Sequence, residues 1–464
     1  MALKQKSGET AREAKKRRLV GFAKTDEGVE ANKCIKIFLV SSKDEVGAKD
    51  GFCIDPMDLN QFFGEDGKIY GYKDLMINIW LSSVSFYAYA DISYASAVDG
   101  GKGITDLKLA LQDIFGEALL EKIDFLQTFS TESHCVRSII SAGTVLRSYS
   151  INEDAESSDN LSDGSFIEHQ VVRMELCSLP VGLLYSRLVP LTFLLIDGSS
   201  PIDVTDSKWD IYFAVKKIQS QTGDYDLRLL GFATVYRFYH HPESTRLRLS
   251  QILVLPPYQG EGHGRRLLEA VNSVAIAENV YDLTVEEPSE YLQYLRSCFD
   301  TLRLLDFEPI KPAINSVASL LRTCSVSKKS CKSLARPPTH AIDTVRQKLK
   351  INKIQFLRCW DILIYLNLNS KDRKIMENFK ASISTRLQSD VFDKDTKSKG
   401  KLLIEVPNDY DHDMTFVVYC SQNGEESDCL NGAQADLEQQ LNKLVDKQLE
   451  DIVEIAEKVS SLRS

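Results

Sequence analysis

Between residues 259 and 266 the chain reads Gln259-Gly260-Glu261-Gly262-His263-Gly264-Arg265-Arg266, then takes up the helical spacing of Leu267, Leu268, Val271, Val274 and Ala275. A helix start presents unpaired backbone N–H groups and a partial positive charge. Glycines there remove the Cβ atoms that would hold an anion off the backbone. The loop is therefore a candidate oxyanion cradle, above all for phosphate. Arg265 and Arg266 fall in the first turn, where cations oppose the helix dipole by about 0.3–1 kcal/mol each. A bound anion would offset them; two solvated arginines beside an empty loop are the simpler alternative. Further on, Val280-Tyr281-Asp282-Leu283-Thr284-Val285-Glu286 is strand-like and ends in Glu286 and Glu287 before Pro288. Carboxylates at that place have the chemistry of a general base, and two solvated acids are the simpler alternative. Adjacent strand residues point to opposite faces, so only one of the two can face a groove beside the loop.

The elements around the loop decide which phosphate scheme it serves. A P-loop needs GxxxxGK[ST], which is absent. A dinucleotide fingerprint needs GxGxxG directly after a parallel strand, with an acid about 20 residues on. Glu286 meets the last condition, but the spacing is GxGxG, and Pro256 and Pro257 separate strand from loop. The preceding strands, Trp209 to Val215, Leu227 to Tyr239 and Leu247 to Leu255, are joined by short turns such as His240-His241-Pro242-Glu243-Ser244, which predicts an antiparallel meander. Strand, short connector, Q-x-x-G-x-G-like loop, helix and strand is the order that remains, and a helix from Ser289 to about Leu305 follows it.

Further elements are expected on both sides. Residues 1–27 form a polar, basic, disordered tail, and Lys15-Lys16-Arg17-Arg18 suits nuclear import. An α+β domain is expected over 28–147, with a strand at Ile35 to Val40, two strands within Met76 to Tyr94, and a helical pattern from Asp106 broken at Gly116. Residues 148–168 are an acidic, serine-rich insert. The glycine loop belongs to a domain over 169–330. After Arg336-Pro337-Pro338 a mainly helical domain spans 331–464, with helices over 340–369 and 371–387, a hairpin at 402–404 and 415–418, and an amphipathic tail over 433–462.

With 56 basic and 66 acidic residues among 464, the chain argues against general nucleic-acid binding and suits a basic partner. No secretory signal is expected, since the N-terminal stretch has lysines but no apolar core, and the most apolar stretch, 177–196, is interrupted by Pro180, Arg187 and Pro190, a poor membrane span. The ten cysteines form no CxxC pair and no zinc-finger spacing with histidine, so they read as reduced intracellular thiols and no metal site is expected.

The run from Ser250 to Gly264, with Asp282-Leu283-Thr284-Val285-Glu286-Glu287-Pro288-Ser289, resembles the Gcn5-related N-acetyltransferase superfamily and, within it, the type B histone acetyltransferases. Phe63-Gly64-Glu65-Asp66, Gly71-Tyr72-Lys73 and Ile202-Asp203-Val204 with Trp209 extend the resemblance over roughly 33–307. It implies an α+β chain: a mixed, mostly antiparallel sheet flanked by helices, between the N-terminal α+β and C-terminal helical domains. It also implies acetyl-coenzyme A as cosubstrate, with its pyrophosphate on Gln259, Gly260, Glu261, Gly262, His263, Gly264 and Arg265. Pantetheine would lie along Ile252, Leu253 and Val254, and Ser289 would be a further contact. His263, inside the loop, is expected to shape backbone rather than act as a base.

Lysine, with a pKa ~10.4, is protonated at pH 7, and freeing its lone pair costs roughly 4–5 kcal/mol. A carboxylate general base, direct or through water, would relieve that cost if partial burial raised its own pKa. The resemblance makes Glu286 this base, Glu287 its support and Asp197 a second acid, although Asp stands at 197 where the family leads one to expect Glu. Tyr291 and Tyr294 are alternatives for protonating a departing thiolate, with helix packing as their simpler role. For the substrate it implies Glu65, Asp66, Trp209, Tyr236, Arg237 and Phe238, acids and aromatics suited to a basic tail, Arg237 being the one that needs an acidic or backbone partner. The expected substrate is the tail of newly made histone, histone four, before chromatin assembly. A WD-repeat histone-binding protein is the expected partner, and the expected location is nucleus and cytoplasm. Transfer to other amines, a non-catalytic histone escort, and a dinucleotide oxidoreductase are the competing readings.

Overall fold

The computed structural model describes residues 28–48, 51–57, 59, 62–64, 66–97, 103–150, 166–219, 225–323, 336–369, 371–396 and 430–463. The N-terminal tail, the serine-rich insert between 151 and 165, and the hairpin expected at 402–418 lie outside them. The chain forms two compact units, residues 1–131 with 187–198, and residues 132–186 with 199–464.

The first unit is built on a four-stranded sheet. Strand β1 (Ile35–Val40) pairs in parallel with β3 (Met76–Ser82) and antiparallel with β2 (Cys53–Ile54), and β4 (Ala88–Ser93) lies antiparallel beside β3. Gly116 ends α1 (Leu107–Phe115) with φ 53°, and α2 (Lys122–Thr131) follows, the break expected from the sequence.

The second unit carries a six-stranded sheet, in chain order β5 (Thr144–Tyr149), β6 (Phe166–Glu175), β7 (Trp209–Gln219), β8 (Tyr225–His240), β9 (Ser244–Val254) and β10 (Leu283–Val285). The six lie side by side in that order, antiparallel except for the parallel pair β9 and β10. A boundary near 147 does not separate compact units: β5 is paired with β6 by ladder hydrogen bonds, so the residues on both sides of the serine-rich insert belong to one sheet. The middle of β7, Asp210 to Val215, is buried at every position. That is the signature of a strand covered on both faces.

Helix α4 (His263–Ala277) covers one face, packing Leu267, Leu268, Val271 and Val274 over Tyr212, Val235, Leu247 and Leu249. On the other face the first part of α3 (Leu179–Leu195) reaches the sheet through Tyr185, whose hydroxyl donates to Gln251 Oε1 at 3.0 Å. No helix among the described residues is long and apolar enough to cross a membrane.

C-terminal to the sheet, helices α5 (Glu290–Leu305), α6 (Lys311–Thr323), α7 (Thr339–Leu349), α8 (Lys353–Asn367), α9 (Arg373–Thr396) and α10 (Leu430–Arg463) follow. They enclose a second core around Phe356, Cys359 and Trp360. The single helix expected over 340–369 is broken at 350–352. Lys350 takes φ 58° and closes α7, while Asn352 caps α8 by accepting from Gln355 N at 2.8 Å. The interruption lets Lys350 O accept from Leu283 N at 2.8 Å, so the outer edge of β10 is supplied by the helical region.

Candidate functional site

Helix α4 starts without a side-chain cap. Its N-cap is Gly262, at φ 88°, and Gly260 has φ 86°. Left-handed backbone is cheap only for glycine, and an added Cβ at either residue would meet nothing within 4 Å. The helix mouth thus keeps the amides of its first turn uncapped beside open space, the condition for an anion site.

The side chains of the loop turn to other tasks. The His263 ring is fully buried, with Nδ1 2.8 Å from the Tyr149 hydroxyl and Nε2 3.0 Å from Glu261 Oε2. Desolvation holds its pKa below the ordinary imidazole value, against the opposing pull of Glu261, and with the ring buried and both nitrogens engaged neither is open to a substrate. Gln259 Nε2 donates to Val254 O at 2.9 Å. Arg265 and Arg266 do not depend on a ligand for their charge: Glu269, almost buried, takes Arg265 Nε at 2.9 Å, Arg266 Nη1 at 2.9 Å and Arg147 Nη1 at 2.8 Å. Those two arginines therefore call for no bound anion, and the loop's capacity to hold one lies in its backbone amides.

Beside the loop, β9 and β10 part company. They pair only at Leu247 to Leu249, and Glu286 N closes the ladder on Leu249 O at 2.9 Å. Beyond it, residues 250–254 of β9 have a strand partner on one side only. Leu255 N donates to Leu230 O at 2.8 Å, so by antiparallel alternation the backbone groups of Ile252 and Val254 point to the open edge while those of Leu253 point to β8. Of the three residues expected along pantetheine, the structure turns Ile252 and Val254 to that edge and Leu253 away from it.

A β-bulge near Ser250 shifts the register between β8 and β9. Bulges re-aim side chains, and here Ser250 Oγ donates to Glu286 Oε2. Arg248 Nη1 lies 4.0 Å from Glu286 Oε1, and its guanidinium stacks 4.4 Å from the Phe238 ring centre. The Glu286 side chain is 45 % exposed.

Trp209 and Tyr236 rings lie 4.7 Å apart, and Tyr236 and Phe238 4.6 Å apart. The Tyr236 hydroxyl donates to Asp206 Oδ2 at 2.9 Å. Trp209, Tyr236, Arg248 and Thr284 stand opposite one another across four strands, so the aromatic trio and Glu286 share the face away from α4.

Other expected site residues stand elsewhere. Arg237 alternates to the α4 face, where it meets Asp210 Oδ2 at 2.7 Å and Glu278 Oε2 at 2.6 Å, both also bound by Arg173. Its acidic partners are structural, and it is not part of the aromatic face. Burial raises the Glu278 carboxyl, but the Arg237 and Arg173 hydrogen bonds outweigh this and hold it below the usual range. Glu287 lies past the strand end with φ 32° and is exposed, so simple strand alternation does not govern it. Ser289 is the N-cap of α5, accepting from Leu292 N at 3.2 Å. Tyr294 packs on the helical core and burial pushes its hydroxyl up to about 12, while Tyr291 is 73 % exposed.

Asp197 and Asp66 belong to the first unit. Asp197 is exposed after α3. Asp66 accepts from the Tyr70 hydroxyl, which holds its carboxyl below the usual range. Glu65 lies outside the described residues. No group of three or more His, Cys, Asp or Glu able to hold a metal occurs among the described residues.

Sequence reasoning assigned no role to Arg248 or Ser250. For Arg248 the signal was present: the turn at 241–243 fixes the hairpin register, which sets it opposite Tyr236.

Residues 28–197 match the family described as Histone acetyl transferase HAT1 N-terminus, and residues 203–293 match the Acetyltransferase (GNAT) family. The chain is 49% identical over 472 residues to the histone acetyltransferase type B catalytic subunit of Zea mays, covering 99% of this chain and 97% of that protein. The Arabidopsis thaliana protein of the same description is 48% identical over 460 residues, covering 98% and 97%. That of Rattus norvegicus is 28% identical over 346 residues, covering 71% and 73%.

Proposed function

Because this chain belongs to the type B histone acetyltransferase catalytic subunits, it is a histone acetyltransferase, and we propose that it acetylates the N-terminal tail of newly made histone four with Glu286 as proton acceptor. One observation carries the assignment of the site. Strand β9 runs from the Ser250 contact with Glu286 along the open edge at Ile252 and Val254, and one short turn at Pro256–Tyr258 joins it to the uncapped amides of the 260–264 loop.

In this reading the amides of the loop and of the first turn of α4 hold the pyrophosphate of acetyl-coenzyme A. The open backbone groups of Ile252 and the N–H of Val254, whose carbonyl already accepts from Gln259 Nε2, pair with pantetheine as an added strand would. When bound, the cosubstrate supplies the thioester carbonyl that the amine attacks. The protein's part is positional and protolytic. Trp209, Tyr236 and Phe238 offer an apolar, electron-rich wall to the lysine arm and its ammonium. The Glu286 carboxylate takes the ammonium proton, directly or through one water; the freed amine attacks the thioester carbonyl, the C–S bond breaks, and the second amine proton leaves with the sulfur, so that coenzyme A departs as its thiol. Ser250 and Arg248 hold that carboxylate on the aromatic face. No acyl-enzyme is needed, and transfer is direct.

A WD-repeat histone-binding partner and a role before chromatin assembly, in nucleus and cytoplasm, complete the proposal. Support for a partner comes from the word subunit in the names of the relatives. The test is mass spectrometry of histone tail peptides and of polyamines incubated with the protein and acetyl-coenzyme A. Acetyl-lysine on the histone four tail in preference to the others is expected. Preferred acetylation of polyamines would favour a broader amine acetyltransferase, and no acetylation at all a histone escort.

A further inference from the structure

The glycine loop contains a chemical contradiction. Glu261 places a carboxylate in the middle of a segment read above as a diphosphate cradle, where like charges repel. The structure contains the answer to it. Glu261 Oε2 lies 3.0 Å from His263 Nε2, and His263 Nδ1 lies 2.8 Å from the hydroxyl of Tyr149, itself buried at the end of β5. A carboxylate only accepts hydrogen bonds, so Nε2 must carry the proton. Burial keeps the ring uncharged, which leaves Nδ1 a lone-pair acceptor and makes the Tyr149 hydroxyl its donor. The His169 ring stacks on Tyr149 at 5.4 Å and lies 5.4 Å from His263, so the ring orientation is packed from a second side.

We propose that Tyr149 and His263 form a lock that ties the Glu261 carboxylate, itself 48 % exposed, to the buried His263 ring, and that this restraint makes a glycine loop containing an acid able to accept a diphosphate. Both are positioning residues: neither touches the reacting atoms. Tyr149 fixes the tautomer, His263 transmits it, and Glu261 is the charge restrained. The proposal rests on the coenzyme A reading of the loop and adds to it that the anion affinity is set from beneath by this chain of two hydrogen bonds.

A double-mutant cycle on the full chain tests it, with coenzyme A itself as titrant in calorimetry and acetylation kinetics alongside. His263→Phe keeps a buried ring but releases Glu261; about ten-fold weaker coenzyme A binding is expected, appearing in KM for the cosubstrate and not in kcat. Glu261→Gln in that background restores most of the affinity, whereas in the unmodified protein it tightens binding only a few-fold, and this non-additivity is the signature of the lock. Tyr149→Phe, a milder change should His263→Phe fail to fold, gives a smaller loss that Glu261→Gln again repairs. Losses that Glu261→Gln does not repair would reduce the triad to ordinary packing and overturn the lock while leaving the coenzyme A reading intact. Absence of coenzyme A binding by the unmodified chain would overturn both.

Discussion

Tyr236, Arg237 and Phe238 are consecutive, yet they serve the two faces of one sheet in opposite ways. On the α4 face Arg237 joins Arg173, Asp210 and Glu278 in a network where every charge has a close partner, and Asp210 is almost wholly buried. On the other face Tyr236 and Phe238 stand with Arg248, Ser250 and Glu286 around a carboxylate that is 45 % exposed and held by one hydroxyl and a guanidinium 4.0 Å away. The first arrangement satisfies itself and can only stabilise the fold. The second leaves a carboxylate accessible beside aromatic rings, as proton transfer from a bound ammonium requires. Residue type does not separate the two; partner satisfaction does.

That contrast breaks most sharply at Glu286. Glu286→Gln should lower kcat by about 10²–10⁴ while changing unfolding free energy by no more than about 0.5 kcal/mol, as suits an exposed site. Acetylation rates and urea melts measure the two, and an unaltered rate would move the proton acceptor elsewhere. Arg237→Met should show the reverse pattern, a loss of about 2 kcal/mol from charged hydrogen bonds removed, with KM for the histone peptide constant in the folded protein. A raised KM with stability intact would return Arg237 to the substrate face. Tyr236→Ala should raise peptide KM about five-fold, the equivalent of a cation–π contact near 1 kcal/mol, with coenzyme A affinity unaffected in calorimetry. Arg248→Lys is the finest probe: it keeps the charge but loses the planar stack on Phe238. A fall in kcat of about two- to three-fold is expected, and none at all would mean that charge alone orients Glu286.

Much of this architecture was legible in the residues. The meander, the glycine loop and the helix after it follow from alternation, turn chemistry and the unpaired amides of a helix start, and the order of those elements carries the family resemblance. Most of what escaped reading depends on contacts between distant segments. Glu269 stands four and three residues after Arg265 and Arg266, a spacing that local reading could have paired, and only its contact with Arg147 is distant; a structural cluster of four charges passed for evidence of a ligand. The bulge at Ser250 reverses the faces of the residues after it, so an alternation counted from Leu247 misassigns Leu253. The break at Lys350 was hidden because its cause is tertiary, the supply of a carbonyl to β10. Arg237 was grouped with its neighbours because aligned position cannot show which face of a strand a side chain takes.

The most direct measurement is a crystal structure of the chain with coenzyme A. The diphosphate should lie within hydrogen-bond reach of the amides of residues 260–265, pantetheine along Ile252 and Val254, and the sulfur on the side of the sheet that carries Glu286. Coenzyme A seated away from that loop, or Glu286 turned from the sulfur toward the core, would contradict the account.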